Sequence, residues 1–127
     1  MRGIRGAISV EKNTRTAILE NTSLLLKEMI ANNKLSENDI ISIFFTATDD
    51  LDEVYPAVAA RQLGFADIPL LCYQEMKVKD SLEKCIRVLM FVDFDCALQE
   101  VKHVYLKKAK KLRPDLLNQE NRLDKER

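Results

Sequence analysis

The sequence predicts a mixed α/β (α+β) domain in which a single mixed β-sheet of about five strands carries its helices on one face. Five short runs, either alternating or apolar throughout, read as strands, and two runs between them have helical spacing. The run 85–94 (CIRVLMFVDF) is apolar on both of its faces and yet contains an arginine, Arg87.

Residues 2–10 (RGIRGAISV) alternate, with Ile4, Ile8 and Val10 on one side and Arg5, Ala7 and Ser9 on the other. Asn13 or Thr14 can cap a helix in which Ile18, Thr22, Leu25, Leu26, Met29 and Ile30 recur until Asn32-Asn33 offers a stop. Residues 40–45 (IISIFF) are β-branched and aromatic, as expected of a buried strand. Pro56 and Gly64 bracket a two-turn helix over 57–63 that carries Arg61. Residues 68–73 and 85–94 are the third and fourth strands, joined by the polar loop 74–84, and a helical turn over 97–101 leads to a fifth strand at 103–106. The order is βαβαββαβ. Residues 1–116 are read as one domain, and 117–127 (LNQENRLDKER) as a mobile tail too polar to join a core.

With 46% hydrophobic and 31% charged residues, 127 residues suffice for one core without disulfides or metals. Lysines plus arginines number 20, as do aspartates plus glutamates, so no global field attracts nucleic acid or an anionic membrane, and no partner of either kind is expected. No apolar run reaches the roughly 18 residues of a membrane span, and no leader is recognised, so a cytoplasmic protein is expected. Cys72, Cys85 and Cys96 lack a C-x-x-C spacing and are expected to be reduced thiols. With helices on one sheet face, the other face is left apolar and uncovered, which asks for a symmetric homo-oligomer.

Period-two geometry puts Cys85, Arg87, Leu89 and Phe91 on one face of the fourth strand, and Ile86, Val88, Met90 and Val92 on the other. A guanidinium there is costly to desolvate unless an anion meets it, because arginine does not escape by losing its proton. That anion is either a protein carboxylate such as Glu75 or a ligand, and Arg87 alone does not decide. Arg5, flanked by Gly3 and Gly6, stands where backbone approaches something closely. The basic run 107–113 lacks interleaved aromatics and reads as a solvated face. A single histidine, His103, and three glycines exclude a histidine metal cluster, a nucleophile elbow and a phosphate-cradling loop. No metal and no cofactor are expected.

Several segments together resemble the AroH class of chorismate mutases, from Arg2 to about Leu116. They are Arg2-Gly3-Ile4-Arg5-Gly6-Ala7, Thr48-Asp49-Asp50-Leu51, Tyr55-Pro56-Ala57 and Ala59-Ala60-Arg61. Cys72-Tyr73-Gln74-Glu75-Met76, Leu82 to Val88, His103-Val104-Tyr105-Leu106 and Leu112 to Leu116 follow in order. The resemblance implies a homotrimer with a barrel-like core of sheets and active sites at subunit clefts, converting chorismate to prephenate in aromatic amino acid biosynthesis. It implies that Arg87 meets the substrate's ether oxygen, that Arg5 and Tyr105 hold carboxylate, and that Glu75 and Cys72 contact the ring hydroxyl. Tyr55, Ala57, Arg61 and the strand Leu70, Leu71, Cys72, Tyr73, Gln74 and Glu75 are the implied walls, and Arg113 is an implied binding residue.

Two departures stand out. Asp80 occupies a place where the family commonly has glycine, so a different turn is expected over 77–81. Val58 stands where a lysine can sit near the pocket mouth, which is expected to weaken attraction of the dianion. The implied reaction is pericyclic and needs no nucleophile, proton transfer or metal, in keeping with the side chains available.

Overall fold

The computed structural model describes residues 1–117. The expected polar tail falls almost entirely outside that range. Strands β1 (Arg2–Ser9), β2 (Ile40–Ala47), β3 (Leu70–Gln74), β4 (Cys85–Val92) and β5 (Val104–Leu106) form one sheet in the order β3-β2-β4-β1-β5. β4 runs antiparallel to both its neighbours, while β1 pairs with β5, and β2 with β3, in parallel. The sheet is therefore mixed, with β4 at its centre.

Helix α1 (Arg15–Asn32) starts where Thr14 accepts the Ala17 amide at 3.1 Å through its side chain. Its buried stripe of Ile18, Thr22, Leu25, Leu26 and Met29 faces the sheet. The polar members of that stripe are satisfied within the helix, since Thr22 Oγ1 donates to the Ile18 carbonyl and Asn21 Nδ2 to the Ala17 carbonyl, both at 2.7 Å. Asn33, the expected stop, donates to the Met29 and Lys102 carbonyls and accepts the Lys102 amide. It thereby fastens the end of α1 to the segment that leads into β5.

Helix α2 (Ala57–Gln62) begins after Pro56, which caps the helix rather than opening it, and ends before Gly64 at φ 98°. It packs its buried Ala57, Ala59 and Ala60 beside α1 and β3. The helical turn expected at 97–101 is a 3-10 turn over Leu98–Glu100. Further 3-10 turns at Glu37–Asp39 and Lys107–Lys111, and a short helix α3 (Pro114–Leu117), were not anticipated. Their few residues carry too little periodicity to announce them.

The helix-side core takes Ile4 and Ile8 from β1, Ile43 and Phe45 from β2, and Ile86, Val88, Met90 and Val92 from β4, all nearly inaccessible. Gly6 lies on that side because α1 leaves no room for a side chain: a Cβ there would collide with Met29 Sδ, and Leu25 Cδ1 would lie at 3.2 Å. The opposite face is covered in the single chain only around Ala7, Cys85 and Tyr105, which pack with Ala109 of the Lys107–Lys111 turn, and is open beyond them. Leu71 and Tyr73 are half exposed, Leu89 is partly so, and Phe44 joins Phe91 edge to face with ring centroids 5.6 Å apart. The helices thus do occupy one face, and an apolar surface remains on the other.

Candidate active site

On the face away from α1 the strand registers align one row across all five strands. Tyr73 lies opposite Thr46, Thr46 opposite Arg87, Arg87 opposite Ala7, and Ala7 opposite Tyr105. Arg87 is thus flanked by two small residues, and beyond Ala7 lies the phenol of Tyr105. The next row brings Leu71, Phe44, Leu89 and Arg5 together.

The start of β4 is held by the turn after β2. Thr48 accepts the Cys85 amide through Oγ1 at 3.0 Å, its own amide donates to the Cys85 carbonyl at 3.1 Å, and Asp50 accepts the Lys84 amide at 3.0 Å. Lys84 itself adopts φ 46°. The end of β3 is held in turn, since the Glu75 amide donates to the Ala47 carbonyl at 2.8 Å. These two anchors bring Glu75 Oε1 to 3.4 Å from Arg87 Nε.

The Arg87 side chain is 47% exposed and that of Glu75 23%. The guanidinium is thus only partly desolvated by its own chain, since Ala7 and Cys85 beside it are buried whereas Leu89 on the same strand is exposed. Both expected partners remain compatible with this geometry: Glu75 pairs with one edge of the guanidinium, and a ligand can still approach it from the open side. The buried Cys85 thiol lies on the same face, and burial pushes its pKa up to about 11, against the opposing pull of Arg87. Thr46 Oγ1, adjacent in register, is buried without a hydrogen-bond partner among the described residues.

Arg5 donates its amide to His103 Nδ1 at 2.9 Å. Burial above all, with the Arg5 and Arg113 charges adding, pushes His103 down to about 4, so the ring is neutral near pH 7. Tyr105 is 7% exposed and packs with Ala7, Cys85 and Ala109, with Leu82 and Leu112 at the rim. Arg113 is engaged by Asp115 through two contacts, at 2.9 and 3.1 Å, which raise its already high pKa.

The remaining residues form a second group on the other side of β3. Alternation divides that strand, so Leu71 and Tyr73 face the Arg87 side while Leu70 and Cys72 pack against the helix-side core. Cys72 lies near Ala57 and Arg61, and burial raises its pKa. A cavity of about 600 Å³ is lined by Tyr55, Val58, Cys72, Tyr73 and Gln74, among others. Tyr55 is 70% exposed, Arg61 is exposed and Ala57 is buried. Within one chain, then, Arg5, Glu75, Arg87 and Tyr105 share a face, whereas Tyr55, Ala57, Arg61 and Cys72 do not join them. Sequence reading missed the His103 contact and the unpaired Thr46 hydroxyl, although period-two alternation was enough to put Thr46 on Arg87's face.

The loop 77–81 differs from expectation. Asp80 itself adopts φ 64°, the left-handed region that glycine enters freely, so the turn uses glycine's conformation with an aspartate in place.

Comparison with known proteins identifies the family. The family model for chorismate mutase type I matches residues 1–116. The chain is 45% identical over 117 residues to the chorismate mutase AroH of Bacillus subtilis (strain 168), covering 91% of this chain and 92% of that protein. It is 47% identical over 117 residues to the chorismate mutase AroH of Thermus thermophilus, covering 91% and 96%. A solved chorismate mutase from Clostridium thermocellum superposes with a TM-score of 0.86 at 50% identity, over 87% of this chain and 99% of that one. Fold, motifs and relatives agree, and the chain belongs to the type I chorismate mutase family.

Proposed function

We propose that the protein is an intramolecular isomerase that converts chorismate to prephenate for aromatic amino acid biosynthesis, acting as a homotrimer with its active sites between subunits. The observation that carries this reading is the row on the sheet face away from α1 in which Arg87, with Glu75 at 3.4 Å, stands one small residue from Tyr105.

The reaction breaks a carbon–oxygen bond as a carbon–carbon bond forms, with no proton exchanged. Negative charge grows on the ether oxygen in the transition state, so a fixed guanidinium in a dry site stabilises that state more than the substrate. Arg87 is assigned that role. Arg5, with Tyr105, holds carboxylate and selects the compact conformer from which bonds form. Glu75 both aims Arg87 and lies beside the ring and its hydroxyl.

The trimer rests on two features. The apolar Leu71, Tyr73 and Leu89 are uncovered and Phe91 half-buried in one chain, and a second copy against them would dry the surroundings of Arg87. The residues Tyr55, Ala57, Arg61 and Cys72 lie away from Arg87 in the same chain, so a cleft using both groups needs two copies. Arg113, already engaged by Asp115, is assigned to the cleft rim.

Mixing purified protein with chorismate and following its loss tests the activity, while sedimentation equilibrium tests the assembly. Prephenate formation by a species of three times the chain mass is expected. A protein that leaves chorismate unchanged overturns the activity, and an active monomer overturns the shared site.

A further inference from the structure

We propose that His103 is a positioning residue whose imidazole fixes the backbone of Arg5 and thereby sets where the Arg5 guanidinium meets substrate carboxylate. This rests on the chorismate mutase reading above and adds a group that reading does not use.

The parallel pairing of β5 with β1 begins at Val104, opposite Gly6. The Arg5 amide lies one residue beyond that pairing, and the His103 ring accepts it at 2.9 Å in place of a strand carbonyl. Without the ring, the strand that presents Arg5 would lose its anchor at the very residue it presents. Accepting at Nδ1 requires that nitrogen to be unprotonated, which puts the ring proton on Nε2.

The ring is itself held in place. Its chain neighbours are fixed on both sides: Asn33 grips the amide and carbonyl of Lys102 at 2.9 and 2.8 Å, and Val104 enters the sheet. Hydrogen bonds from Asn33 to Lys102 and from the Arg5 amide to His103, joined by the Lys102–His103 peptide link, therefore tie the end of α1 to Arg5. The charged groups acting on the ring are Arg5 and Arg113, both cations, and both favour its neutral form along with burial. His103 does not touch substrate in this scheme and takes no proton in the reaction. It acts through Arg5.

The test compares the intact enzyme with His103→Leu and His103→Asn. Asparagine branches at the same carbon as the imidazole, so its Oδ1 can accept where Nδ1 did, whereas leucine fills the space and accepts nothing. His103→Leu is expected to raise KM for chorismate about tenfold while kcat falls less than about threefold, and His103→Asn to keep KM within about threefold of wild type. A purely structural role would lower the amount of active enzyme in both variants and leave KM alone.

Should the leucine variant fail to fold, the wild type and His103→Asn still decide by their KM between pH 7 and 4, where about half of the wild-type rings carry the proton. Only the wild type acquires a ring proton facing the Arg5 amide, so only its KM carries that added rise, and substrate ionisation is common to both. Identical pH profiles for those two proteins, an unchanged KM in His103→Leu, or an asparagine variant no better than leucine would each overturn the proposal. NMR of the wild type at pH 7 reads the Nε2-protonated tautomer and the Arg5 amide bond directly, so loss of the functional reading would be distinguishable from loss of this contact.

Discussion

Arg87 Nε and Glu75 Oε1 lie 3.4 Å apart at the centre of a sheet face that the single chain leaves open. Exposed ion pairs of this kind add little to stability, about 0–1 kcal/mol, so the worth of the pair lies in aiming the guanidinium. Arg87→Ala is expected to lower kcat about 10²–10³-fold, roughly 3–4 kcal/mol of activation free energy, with little change in thermal midpoint. Arg87→Lys is not expected to restore it, because an ammonium lacks the planar fork that meets Glu75 and an ether oxygen together. Steady-state kinetics beside thermal unfolding separate the two effects, and near wild-type turnover in either variant would remove Arg87 from its assigned role.

Across neutral pH the rate is expected to be flat, since His103 titrates near 4 and Cys85 near 11. Stability, by contrast, should depend on acid. His103 has a folded pKa depressed from 6.5 to about 4, so below pH 6.5 the unfolded chain takes up a proton that the folded chain refuses. Stability from this group is whole above pH 6.5 and is lost as pH falls towards 4. With a half-buried ring the loss is about 1–2 kcal/mol, less than the full shift implies. Urea unfolding at pH 7 and pH 5 should show it in the wild type, and the difference should shrink in His103→Asn.

Gly6 and Gly3 share a strand but not a constraint. A methyl group at Gly6 collides with Met29 inside the helix-side core, and Gly6→Ala is expected to cost about 1–3 kcal/mol. At Gly3 the nearest atom, Leu89 Cδ1, would lie at an ordinary 3.5 Å, and Gly3→Ala is expected to stay within about 0.5 kcal/mol. Equal destabilisation in a denaturant series would refute the assignment of α1 as the cause.

The left-handed backbone of Asp80 predicts that Asp80→Gly is neutral to stabilising, by up to about 1 kcal/mol, because glycine meets no steric penalty there. The gain is limited by glycine's greater freedom in the unfolded chain. A marked drop in melting temperature would show that the carboxylate, and not the backbone, governs the turn.

Period-two and helical spacing made most of the fold legible. The alternation of Ile4 and Ile8 against Arg5 and Ala7 set the faces of β1, and the stripe from Ile18 to Met29 set the packing of α1. The same alternation correctly grouped Arg87 with Leu89 and Phe91. That part of this face is uncovered within one chain was legible too, from helices being expected on one side of the sheet only, and the exposed Leu71, Tyr73 and Leu89 agree. Alternation also puts Cys72 and Glu75 on opposite sides of β3, so their shared role followed from the family resemblance and not from periodicity. The bond between Arg5 and His103 joins residues 98 apart in sequence through a side chain, and no periodicity encodes such a contact.

The anchoring of β4 by Thr48 and Asp50 bears on how the sheet avoids pairing wrongly. β4 is apolar on both faces, so hydrophobicity alone discriminates poorly between its correct alignment and one displaced by a residue. Such a slip would turn Arg87 into the space beside Phe45, among residues with no exposure and no carboxylate in the strand opposite. The charge assigned to chemistry thus also penalises the mispaired chain, and the hydrogen bonds of Thr48 and Asp50 to Cys85 and Lys84 favour the same alignment.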